Sequence, residues 1–134
     1  MFYEYTLNVP ADTKEAAPYE IDALVEPGIL TYAEIDFPPG CHGLVNVSIV
    51  EGKFQLFPRN PEEAVKGDGY VVPIKTQYKL KRGHNLLKLK AWSPDTAYSH
   101  KIVVRLTVET EEADKMFILM SDFVAILKKL IGVD

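Results

Sequence analysis

The first hundred or so residues are cut into short alternating runs by Pro, Gly and Asn/Asp, with no helix-period segment between any two of them. Parallel strands need a crossover of a dozen or more residues, usually a helix, so runs spaced this closely pair antiparallel. Phe2 to Val9 sets Tyr3, Tyr5, Leu7 and Val9 on one face and Glu4, Thr6 and Asn8 on the other, and stops at Pro10. Residues 19–25 and 29–37 follow, joined through Glu26-Pro27-Gly28, and residues 44–51 turn at Glu51-Gly52 into 53–57 as a hairpin. PRNPEEAVKGDG, residues 58–69, is the longest stretch without strand pattern. Residues 70–74 and 76–80 read as two further strands, with Pro73 marking an edge or a bulge. Lys79 and Lys81, then Lys88 and Lys90 beyond Arg82-Gly83-His84-Asn85, read as a hairpin with one lysine-lined face. Residues 101–109 turn Ile102, Val104, Leu106 and Val108 inward.

About nine strands therefore precede one helix. The expected fold is all-β: an antiparallel β-sandwich of jelly-roll or immunoglobulin-like topology over residues 1–109, then a C-terminal amphipathic helix over 110–134 that mediates assembly. A chain of 134 residues can bury a core of that size without staples. A composition 47% hydrophobic and 25% charged excludes a disordered, collagen-like or polytopic membrane chain. MFYEYTLNVP has neither the basic start nor the apolar run of a secretory signal, and the single Cys41 makes no internal disulfide. Both point to the cytoplasm.

Residues 111–131 read as the helix: acidic residues open it and Gly132 closes it. Two apolar seams run side by side along it, Phe117, Met120, Val124, Leu127 and Ile131 at 3-4-3-4 spacing, and Met116, Leu119, Phe123, Ile126 and Leu130 displaced by one position. One seam suits a two-helix pair; two seams suit a helix with neighbours on two sides. The polar stripe is only Ser121, Asp122, Ala125, Lys128 and Lys129. Fully burying ten such side chains stabilises by on the order of 15–30 kcal/mol before entropy, at about 1.5–3 each. The cover is either the chain's own sandwich or other protein: identical helices in a homo-oligomer, a trimer or larger, or a larger assembly. Membrane association is disfavoured, because Asp122, Lys128 and Lys129 interrupt the apolar run.

Charge is unevenly placed: residues 1–40 sum to −7, 41–105 to +6 and 106–134 to −3. Either acidic and basic strands are neighbours in one molecule, or an acidic face of one subunit docks on a basic face of the next. A net charge of −4 argues against a nucleic-acid partner, and the lysine ladder lacks interleaved aromatics beyond Tyr78.

Catalytic signatures are absent. His42, His84 and His100 stand singly, without the spacing that sets two metal ligands on one face, and Cys41-His42 are sequence neighbours whose side chains point apart on extended chain. Lys66-Gly67-Asp68-Gly69 has too few oxygens for a calcium loop. Glu34 and Asp36 share a strand face, the geometry of a glycosidase pair, but solvated strand positions explain them. No catalytic, cofactor-binding or metal residue is expected, and no cofactor. A second reading, from another class, is a carbohydrate-binding module in which Trp92 and Tyr98 stack on a sugar ring and Asp95 accepts its hydroxyls.

YTLNVPADTKEAAP, FPPGCHGLVNVSI, QLFPRNPE, the GDG turn and AWSPDTAYSHKIVVRLTV together resemble a small β-sandwich protein of tailed viruses, over roughly residues 5–108. The resemblance implies a non-enzymatic virion component, capsid-decorating or head-associated, without cofactor. It transfers no functional residue.

Overall fold

The computed structural model describes residues 1–81 and 86–132, with backbone alone over 111–115. Eight strands precede one helix: β1 (Phe2–Val9), β2 (Tyr19–Leu24), β3 (Gly28–Phe37), β4 (Asn46–Glu51), β5 (Phe54–Phe57), β6 (Tyr70–Leu80), β7 (Leu86–Trp92), β8 (His100–Glu109) and α1 (Glu111–Leu130). Two four-stranded sheets form, in the orders β1-β8-β3-β6 and β2-β7-β4-β5. First pairs with last, second with seventh, third with sixth and fourth with fifth, all antiparallel. That is one long ribbon, its tip at β4–β5, rolled into a double sheet: of the two expected topologies, the jelly roll.

Eight strands replace the expected nine because 70–74 and 76–80 are one continuous strand. β6 is an edge strand, where Pro73, which has no N–H, leaves its outward side without loss. The expected lysine hairpin is a second correction: β6 and β7 lie in different sheets, so Lys79 and Lys88 belong to opposite layers. Its turn, Arg82 to Asn85, lies outside the described residues.

The core is the inward set of both sheets, including Leu7, Leu30, Ile35, Ile49, Leu89 and Leu106, all fully buried. Every member of it lies between Leu7 and Val108. The alternation read from residues 101–109 is observed: Ile102, Val104, Leu106 and Val108 are buried and the residues between them are not.

Strand directions give the sandwich two different ends. The four longer connections, 10–18, 38–45, 58–69 and 93–99, gather at one. At the other lie the short connections 25–27 and 52–53, and there β8 passes into α1. Gly28 sits beside that exit at φ 154°, and a Cβ on it would collide with the carbonyl oxygen of Glu109.

Candidate functional site

The helix forms as its sequence asks. Lys128 and Lys129 sit in its last turn, against the negative end of the dipole, and Gly132 at φ 75° closes it by donating its N–H to Lys129 O at 3.3 Å. Its described side chains take no part in the core. Among the strands α1 approaches mainly β3, near the exit, and from Met116 onward every residue through Leu130 is exposed. The large apolar side chains of both seams, with Ile118, are 42–77% exposed. The sandwich is complete without them, so the chain's own core is not their cover. Ile118, which falls outside both seams, is the residue the seam pattern does not capture.

At the opposite end a network of hydrogen bonds ties the loops together. Asp68 of the GDG turn accepts the Gly40 N–H at 2.9 Å, and the backbone N–H of His42, the larger influence, together with that of Gly40 holds its carboxyl below the ordinary range. This tether explains how His42 keeps φ 51°, a left-handed conformation rare outside glycine. Cys41 and His42 do point apart: Cys41 is 0% exposed, its thiol pushed up by burial and then by Asp68, while His42 lies at the surface with Nδ1 3.9 Å from Asp68 Oδ2. His100 is buried, its Nε2 3.3 Å from Gly40 O and its ring 4.7 Å from that of Tyr98. Thr96 Oγ1 accepts the Asp12 N–H, and Ser93 Oγ donates to Pro10 O. Gln55 Nε2 lies within 2.8–3.1 Å of the carbonyls of Pro58, Asn60 and Glu63, which orders the long segment after β5. The bonds of Asp68, His100, Thr96 and Ser93 to Gly40, Asp12 and Pro10 are not legible locally, because each joins segments far apart in sequence.

The proposed sugar-binding trio is spread over this end. Trp92 closes β7 opposite Asn46 and is half-buried, whereas Tyr98 leans on His100 and reaches Gly40 O at 3.4 Å. Among the described residues no hydrogen bond or ring contact joins Trp92, Asp95 and Tyr98. Glu34 and Asp36 lie on the outer face of their sheet, where Arg105 takes both, at 3.3 and 3.6 Å, together with Glu4 at 2.8 Å. In the other sheet Glu20 lies 3.8 Å from Lys88 and 3.6 Å from Lys90 across the β2–β7 pair. Acidic and basic strands are thus neighbours within one molecule. Among the described residues no group of three or more His, Cys, Asp or Glu side chains could hold a metal ion, and no helix is long and apolar enough to cross a membrane.

No protein-family model matches this chain, and no curated protein matches it.

Proposed function

We propose that this chain is a non-enzymatic assembly protein: a jelly roll that carries its own core and forms a homo-oligomer through α1. One observation carries the reading. A helix of 20 residues leaves the finished sandwich with all its large apolar side chains in water. Monomeric proteins rarely expose contiguous apolar patches above a few hundred Å². In the oligomer the helices gather at one end of the sandwich, and the tethered loops face away from them. A place in a virus particle follows from the resemblance over residues 5–108, and jelly rolls recur in capsid proteins. The same fold serves lectin and cupin domains, so the helix, not the fold, bears the proposal.

Val124→Asp and Leu127→Asp test it. Both side chains are exposed in the protomer. Sedimentation should find monomers with the far-ultraviolet β signal intact; an unchanged sedimentation coefficient in both variants would refute assembly through α1.

A further inference from the structure

The same helix carries information on how many copies meet. In a heptad with Met120 and Leu127 at a, and Met116, Phe123 and Leu130 at d, position e is Phe117, Val124 and Ile131 and position g is Leu119 and Ile126. Two-stranded coiled coils keep e and g at the rim, where charged residues pair across the helices. Here all five are large and apolar, and they stand 48–72% exposed in the protomer. The charges are displaced outward instead: Lys128 to b, Asp122 and Lys129 to c.

The two seams are one spacing repeated a residue later, so their directions diverge by about 100°, the rotation per residue of an α-helix. A helix in a pair has one neighbour direction. In a closed ring it has two, separated by about 60° for three helices, 90° for four and 108° for five. The seams fall between four and five.

We propose that the α1 helices of four or five copies of this chain close into one ring. Each helix turns its Phe117–Val124–Ile131 flank to one neighbour and its Leu119–Ile126 flank to the other. Met116, Met120, Phe123, Leu127 and Leu130 fill the centre. This rests on the assembly reading above and sharpens it.

Area favours a protein occupant. Ten large apolar side chains stand 42–77% exposed along one helix, and monomeric proteins rarely expose contiguous apolar patches above a few hundred Å². A specific interface takes roughly 800 Å² from each partner. The occupant is a second copy because both seams have the same 3-4 spacing and the same class of side chain, so each offers knobs to the other's holes. In a pair or a three-helix cluster, the e and g side chains would keep much of their area in water.

Native mass spectrometry of the full chain tests the number. The expected species is four or five times the 15.1 kDa protomer. Val124→Glu combined with Ile126→Glu sets like charges against each other where the two flanks meet between neighbouring helices, leaves the central residues intact, and should reduce the assembly to a dimer or trimer. A native chain that is a dimer or trimer overturns the ring while leaving assembly through α1 standing. A native monomer overturns both. A doubly charged variant that keeps four or five copies also overturns the ring, because those flanks would then not lie between helices.

Discussion

The phenol of Tyr78 on β6 donates a 2.8 Å hydrogen bond to Oε1 of Glu51 at the end of β4, tying the edge strand of one sheet to the other sheet. The contact closes the sandwich at the end from which α1 departs, with Phe54 stacked on the same ring at 6.3 Å. Glu51 is a partly buried carboxylate at the end of β4, an interior strand held between β7 and β5. Its second oxygen is buried without a hydrogen bond, so Tyr78 is what makes its position tolerable.

Tyr78→Phe should lower stability at neutral pH by about 1 kcal/mol, read from urea unfolding. Burial first, then the bond to Glu51, push the phenol from 10.0 up to about 12. The folded state therefore holds the neutral form. Its contribution is complete below pH 10.0 and is lost as pH rises toward about 12. The variant should show a shallower fall in stability over that window, with one fewer late-titrating phenol in an absorbance titration. Identical alkaline profiles for the two proteins would contradict the assignment.

Asp68 has the opposite sign. Its carboxyl is held below 3.8 by the N–H groups of His42 and Gly40, so its contribution is present above that pH and lost as pH falls through the lowered value. Asp68→Ala should free the turn around Cys41. Labelling of the buried thiol by an aromatic disulfide should then quicken on the order of tenfold at neutral pH, through easier local opening. Equal rates would mean that the loop holds without its tether.

Arg105→Met should lower the urea midpoint more at low than at high salt, since it leaves Glu4, Glu34 and Asp36 facing one another across three strands. A salt-independent loss would point to packing of the arginine stem instead.

Single alanine substitutions should separate core from interface. Leu89→Ala, in the fully buried core, should destabilise the sandwich by about 2–5 kcal/mol in urea. Leu127→Ala should leave the sandwich transition where it is and weaken only the concentration-dependent step. A shared loss in both transitions would mean that the helix belongs to the core.

Alternation and punctuation carried much of the fold. Period-two patterning fixed which residues of β1 and β8 face inward, because a strand has only two faces and one must meet the core. Strand order was not legible, since alternation separates inside from outside and says nothing of lateral neighbours. For that reason Lys79, Lys81, Lys88 and Lys90 read as one hairpin, when β6 and β7 in fact lie in different sheets. Pro73 read correctly as an edge signal, but it does not divide β6, because an edge strand tolerates a missing N–H. The loop-end contacts of Asp68 with Gly40 and of Thr96 with Asp12 join distant segments and left no local trace. The helix was the most legible candidate: its spacing alone marked more apolar surface than one small sandwich covers.

Light scattering on the full chain and on a version ending at Glu109 tests that last point most directly, since the core lies wholly between Leu7 and Val108 and the shorter chain keeps all of it. The expected result is a defined oligomer for the full chain and a folded monomer, with the β signal retained, for the shorter one. A monomeric mass for both would contradict the proposal that α1 assembles this protein.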